Sequence, residues 1–326
     1  MPSASTSSAS AKVPGPEAAE PTVDKSKRWL WERAIHVALA LCAFVSVATT
    51  IGIVAILVVE AGPFFLEVPI TAFLFDTKWS PRLDHYGVLE LFAGTLLVTV
   101  GAAAVAIPIG LGAAVYLSEY AKPAVREVVK PLLEVLAGIP SVVYGWVALT
   151  VVSPAIRGFA KWWSEATGWE VVVEGFNAIS ASVVVGFMIL PMVVSLSEDV
   201  LRAVPRSLRE AAFALGATKF DVTAKVVVPA AFSGIMASFL LAVARAIGET
   251  MAVTLAAGER PNLTLNPLEG VQTMTAYIVS TTQGDTETGS LEYSTVFAVG
   301  LALFFCTMAI NLLAQWILER TRESYE

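Results

Sequence analysis

Residues 198–232 read EDVLRAVPRSLREAAFALGATKFDVTAKVVVPAAF, and residues 233–257 read SGIMASFLLAVARAIGETMAVTLAA. The first segment is charged and patterned as short helices. The second is an apolar run that holds one cation, Arg245, and one anion, Glu249. At 1.5 Å per residue such a run crosses ~30 Å of hydrocarbon. A charged helical segment beside it belongs at a membrane surface, between two spans. The pattern has the form of a docking device followed by part of an ion path.

The rest of the 326 residues agrees with a membrane setting. The chain is 56% hydrophobic and 15% charged, with a mean hydropathy of +0.70. Soluble domains carry about 25% charged residues, so a single water-soluble core is excluded. Spans are expected at 34–59, 88–117, 130–152, 177–197, 233–257 and 293–318, which makes the fold an all-α polytopic membrane protein with six transmembrane helices. Residues 1–28, rich in Ser, Ala, Pro and Lys, read as a disordered cytoplasmic tail, and 29–326 as the transmembrane domain. The tail lacks the apolar core of a signal peptide. Fifteen Lys and Arg fall on the side of the N-tail, the 118–130 and 198–232 loops and the C-tail, against five on the other side. This asymmetry predicts cytoplasmic N and C termini, with loops 60–87, 153–176 and 258–292 outside. In those loops Phe64, Phe65, Trp79, Trp162, Trp163 and Trp169 read as interfacial anchors or parts of short amphipathic helices.

The second and third spans hold helix breakers: Pro108 between Gly101 and Gly110, and Gly138-Ile139-Pro140-Ser141. Proline frees a carbonyl, which in lipid must be satisfied by protein or water. This places both spans toward the bundle interior, with Pro140 and Ser141 beside the path. A plain packing kink remains the competing reading. Cys42 and Cys306 lie in different apolar runs and read as packed thiols. His36 and His85 form no cluster with metal-ligand spacing, so no metal site is expected.

Within the loop, Pro205 suits a helix's first turn. Ser207 with Glu210 fits a capping box, and Thr218 with Asp221 fits it more loosely. Gly216 can take the left-handed conformation that ends a helix. The expectation is two short helices around a glycine turn, closed by Pro229. Ala211, Ala212 and Ala214 keep the first helix thin enough to enter a partner's groove. From physics alone, an amphipathic loop lying on the bilayer fits as well.

Glu210-Ala211-Ala212, three residues, Gly216, nine residues, Val226, one residue and Val228-Pro229 resemble the EAA signature of ABC importer permeases. Valine stands where the family has Ile and Leu. Leu136–Gly145 and Ala244–Ala252 resemble the permeases of phosphate importers, the PstC type more than the PstA type; the resemblance covers roughly residues 30–318. It implies the type I permease fold in a bacterial inner membrane. It also implies that Glu210, Ala211, Ala212, Gly216 and Pro229 belong to the surface that couples to an ATPase. The implied partners are a PstA-like second permease, a PstB-like ATPase dimer and a PstS-like phosphate-binding protein outside, with membrane lipids around them and no nucleic acid. The chain has no Gly-x4-Gly-Lys-Ser/Thr phosphate loop, so ATP would be bound by the separate subunit and no cofactor is expected in this one. The chain itself is then expected not to be an enzyme. The alternatives are a PstA-type subunit, a permease for sulfate or molybdate, and an ion-gradient transporter or channel. A membrane enzyme would need a nucleophile, base or metal cluster near one interface, and none is evident.

Arg245 and Glu249 admit two readings. At i,i+4 spacing on one helix they could neutralise each other as a structural pair. Alternatively Arg245 offers bidentate donors to an oxyanion, with Glu249 holding the guanidinium. Ala244, Gly248, Ala252 and Ala256 would form a small-residue stripe on the same helix.

Overall fold

The computed structural model describes residues 25–284, 286–287 and 289–321, so the expected tail lies outside the description up to residue 24. Contacts divide the chain into two units, 1–55 and 56–326. The described part of the first unit is one helix that continues into the second as α1, Lys25–Glu67. Its apolar side chains over 32–51 are exposed, as suits a helix hydrophobic on all sides in a membrane.

In the second unit α2 (Ile70–Phe75) precedes a two-stranded ribbon, β1 (Trp79–Ser80) and β2 (His85–Tyr86). Then come α3 (Leu89–Val115), α4 (Pro123–Ala137), α5 (Ser141–Val147), α6 (Ser153–Thr167) and α7 (Ala178–Ala203). The loop carries α8 (Arg206–Ala214), α9 (Lys219–Val222) and α10 (Val228–Ala230). The chain ends with α11 (Phe232–Ile247), α12 (Met251–Ala257), α13 (Met274–Gln283) and α14 (Leu291–Thr321). Among the described residues five helical stretches are long and apolar enough to cross a membrane. A pair bent by 68°, Lys219–Ala230 with Phe232–Ile247, makes up to six.

The third span is displaced from its expected position. The run 130–152 is cut at Gly138–Pro140, and the spanning stretch is Ser141–Thr167. Residues 123–137 form the separate amphipathic helix α4, because Arg126 and Lys130 turn to carboxylates on α7. Within Ser141–Thr167 a π turn, Ala148–Val152, precedes Pro154: the Ser153 N–H bonds the Ala148 carbonyl, one residue further back than an α-helix would reach. A proline ring clashes with the carbonyl four residues earlier, and the wider turn absorbs it. The same arrangement, a π turn at Thr223–Val227, precedes Pro229.

Pro108 stays inside a continuous α3 and is exposed on the chain's surface, so it does not turn this helix inward. Gly94, Gly101 and Gly110 of α3 face the interior instead, while Gly112 is exposed. A Cβ at Gly101 would collide with Ser182, and one at Gly186 would lie 2.9 Å from Val105 Cβ. With those positions bare, α3 and α7 approach closely, and the Ser182 hydroxyl donates to the Val98 carbonyl at 3.3 Å. Such small-residue contacts hold helices together where lipid offers no hydrophobic drive.

Two further expectations change. Phe64 and Trp79 are buried, Trp79 standing edge-on to Tyr277 at 4.9 Å between ring centroids. They close a core with Phe73, Tyr86 and Met274, whereas Trp162, Trp163 and Trp169 are exposed. The segment expected as the outer loop 258–292 turns back: Gly270–Tyr277 is buried, and the Met274 N–H donates to Thr95 Oγ1 at 3.0 Å.

Candidate functional site

The loop between α7 and α11 is built from local signals. Pro205, extended at φ −56° and ψ 138°, precedes the first turn of α8, and no side chain caps that end; Ser207 lies inside the helix and makes no capping box. At the other end Gly216 adopts φ +82°. Its N–H bonds the Phe213 carbonyl at 2.9 Å, and the Ala217 N–H bonds the Ala212 carbonyl at 3.2 Å. This is the Schellman pair of bonds that ends a helix on a left-handed residue. Thr218 caps α9: its Oγ1 accepts from the Asp221 N–H at 3.2 Å and its hydroxyl donates to Asp221 Oδ2 at 2.6 Å. Val222, Val227 and Ala231 are buried with Leu201, Val204 and Ile235, which fixes the loop's second half. By contrast α8 has no buried residue, and Glu210, Ala211, Phe213 and Leu215 are exposed while Ala212 is half-buried. Pro229 is exposed on α10.

A Cβ at Gly216 would meet nothing within 4 Å, so only the backbone resists substitution. Gly216→Val is expected to cost about 1–2 kcal/mol through the left-handed conformation and, on the coupling role implied by the sequence resemblance, to lower the transport obtained per ATP. Gly216→Asn, which tolerates that conformation, should stay near wild type. Equal transport by both variants would show that the turn's geometry does not matter.

Beneath α8 lies an ionic layer. Glu198 on α7 is 2% exposed and sits 2.8 Å from Arg126 Nε, 3.3 Å from Lys130 Nζ and 3.7 Å from an Arg202 guanidinium nitrogen. The Arg126 approach is a charge contact without hydrogen-bond alignment. Lys130 also bonds Asp199 at 2.8 Å, and that bond holds its ammonium above the ordinary lysine range. Arg209 of α8 donates to the Val204 carbonyl at 2.6 Å, the Leu201 carbonyl at 2.8 Å and Glu119 Oε1 at 3.1 Å. A basin of ≈ 550 Å³ opens between these groups, with Glu119, Arg126, Arg209, Glu210 and Phe213 on its walls. Sequence reading missed Glu119, Arg126, Lys130, Glu198 and Arg209, because their partners lie up to 90 positions away.

The fifth span is broken. α11 ends at Ile247 with Gly248 as its cap, and α12 starts at Met251. Arg245 and Glu249 therefore do not share a helix, and no ion pair joins them among the described residues; Arg245 is exposed and meets no hydrogen-bond or ionic partner there. Glu249 Oε1 accepts from the Ala252 N–H at 3.3 Å, capping α12, and its backbone carbonyl accepts from the Thr275 hydroxyl at 2.8 Å. The expected small-residue stripe is divided accordingly. Gly248 is an exposed cap, while Ala252 and Ala256 are buried. Opposite them a Cβ at Gly145 would lie 2.9 Å from Leu255 Cβ and 3.1 Å from Ala252 Cα. So α5 and α12, the two short helices that follow breaks, pack together. Pro140, exposed, and Ser141, half-buried, stand at the start of α5.

The family model described as "Binding-protein-dependent transport system inner membrane component" matches residues 106–323. The chain belongs to this family.

The permease is 34% identical over 302 residues to the probable ABC transporter permease protein YqgH of Bacillus subtilis, covering 91% of this chain and 94% of that one. It is 30% identical over 311 residues to the phosphate transport system permease protein PstC of Mesorhizobium japonicum, covering 90% and 92%. It is also 33% identical over 257 residues to PstC 2 of Mycobacterium tuberculosis, covering 76% and 78%. Among solved structures, an inward-facing form of the MetNI methionine ABC transporter matches with a TM-score of 0.50 at 17% identity, over 73% of this chain and 95% of that one. That likeness speaks for the fold, which is the ABC importer permease fold expected from the sequence. Among the described residues no group of three His, Cys, Asp or Glu can hold a metal ion.

Proposed function

We propose that this permease is the PstC-type subunit of an ATP-driven phosphate importer in a bacterial inner membrane. It forms half of a translocation pathway with a PstA-like permease. A PstS-like protein delivers phosphate outside, and a PstB-like ATPase dimer docks on the α8 face. The observation that carries this reading is the loop: Glu210 and Ala211 are presented on an exposed helix whose end is fixed by Gly216, in a chain whose relatives include several named PstC. Closure of the ATPase pair pushes on α8, and the spans tilt between outward-open and inward-open states. On this reading the pathway includes Arg245, Glu249, Pro140 and Ser141, and ATP hydrolysis stays in the separate subunit.

The deciding experiment reconstitutes the chain with its co-expressed partners and measures phosphate uptake and phosphate-stimulated ATP hydrolysis. Sulfate or molybdate stimulation instead of phosphate would reassign the substrate. Uptake that needs no ATP would replace the reading with a gradient-driven transporter. Orientation has its own check, since the Lys and Arg asymmetry predicts both termini in the cytoplasm. In a background lacking Cys42 and Cys306, a cysteine at Thr282 is expected to react with an impermeant thiol reagent from outside, and one at Lys219 is not. Both positions are exposed, so a reversed pattern would invert the topology.

A further inference from the structure

A nine-residue helix with no buried side chain has little of its own to fix its direction. Isolated helices shorter than about 12–15 residues are marginal, and only Leu208 and Ala212 of α8 pack partly against the core below. α8 is flanked by Pro205 in extended backbone on one side and by Gly216 at φ +82° on the other, and neither flanking residue is buried. A push on its outer face, Phe213 and Leu215, would swing such a helix unless something else ties it to the spans.

The tie is Arg209. Its side chain is 16% exposed, and Glu119 is 11% exposed. The carbonyls of Leu201 and Val204 close the last turn of α7, where helix oxygens lack internal partners and the helix dipole favours a cation. Glu119 stands in the π turn Tyr116–Tyr120 that finishes α3. One planar guanidinium thus joins α8 to the ends of both helices that form the close-packed pair. A lysine has no such fork and cannot hold three acceptors in fixed directions.

We infer that Arg209, seated by Glu119, is the positioning residue that makes α8, the end of α3 and the end of α7 move as one body, so that displacement of the docking helix reaches the spans. The inference rests on the proposed ATPase coupling. Arg209 makes no contact with substrate in this role; it acts by keeping α8 from pivoting.

The test uses the assembled complex with its partner permease, ATPase and binding protein in proteoliposomes. It reads phosphate moved per ATP hydrolysed, together with the yield and heat resistance of the complex. Wild type must first show ATP-dependent uptake; if it does not, the proposed function fails and not this inference. Arg209→Gln and Arg209→Lys are expected to keep ATP hydrolysis and lower the transport ratio by about tenfold or more, the scale of one charge-assisted hydrogen bond. Glu119→Gln leaves the bonds to Leu201 and Val204 available, so α7 stays capped and the protein folds; its ratio is expected to fall less, by roughly threefold, as a charged acceptor gives way to a neutral one while the guanidinium donor stays charged. A role confined to capping α7 would lower yield and heat resistance in the Arg209 variants and leave the ratio of every surviving complex at the wild-type value. An unchanged ratio in Glu119→Gln, or in either Arg209 variant, would overturn the inference.

Discussion

Replacing Arg245 with methionine is expected to suppress uptake of the proposed substrate, phosphate, while the complex assembles and hydrolyses ATP: this is the largest effect expected. Arg245 is the fourteenth residue from the start of α11, in a span that continues after the break to Ala257, so it lies near the middle of the bilayer. A charge there costs about 2.5–3.5 kcal/mol on insertion scales. The cost stands without compensation inside the chain, because Arg245 is exposed and unpartnered among the described residues. An exposed midspan cation is tolerated on a face that meets water or another subunit, which is where an oxyanion would pass. Losing a desolvated charge contact costs about 2–5 kcal/mol, so uptake should drop by at least about thirtyfold. Arg245→Lys should fail as well, since an ammonium lacks the planar fork.

The same geometry separates Arg245 from Glu249, a contact that both sequence readings of the two residues used. If they formed a structural ion pair, Arg245→Met with Glu249→Gln would work, as apolar or neutral replacements often match a buried pair. In the structure Glu249 caps α12 and does not hold the guanidinium, so the double variant is expected to transport no better than Arg245→Met alone. Near-normal radiolabelled phosphate uptake by the double variant would contradict the assignment of Arg245 to the pathway.

Glu198→Leu is expected to produce the largest loss of stability. The carboxylate is 2% exposed and faces Arg126, Lys130 and Arg202. Removing one member of a buried ionic group costs about 3–5 kcal/mol, because the remaining charges stay desolvated. The cations here are 28% to 45% exposed, so water relieves part of this and the lower end, about 3 kcal/mol, applies. Heat inactivation of the purified complex in detergent reads the change. Asp199→Asn is the comparison: Asp199 is 56% exposed, and an exposed pair contributes about 0–1 kcal/mol. Equal heat resistance of the two variants would mean that burial of Glu198 does not set its contribution.

Glu198 also shows where sequence reading stops. In the string Glu198-Asp199 the two acids look alike, and nothing nearby says which one is buried. What separates them is α4, whose Arg126 and Lys130 arrive from about seventy positions upstream. The same holds for Arg209, which reads as one more loop cation until the ends of α3 and α7 are brought to it.

The sequence by itself determined the membrane class, the number of apolar runs, the left-handed turn at Gly216 and the Thr218 cap. These rest on hydropathy summed along the chain and on bonds spanning five residues or fewer, so a local string contains all the partners. Only the tertiary structure decided the start and end of the third span, the break at Gly248–Thr250, the burial of Trp79 and the separation of Arg245 from Glu249. A hydropathy window averages over a short polar break inside an apolar run. Whether such a break forms depends on what the opened backbone meets, and at Glu249 the answer is a hydroxyl on Thr275, 26 positions further along.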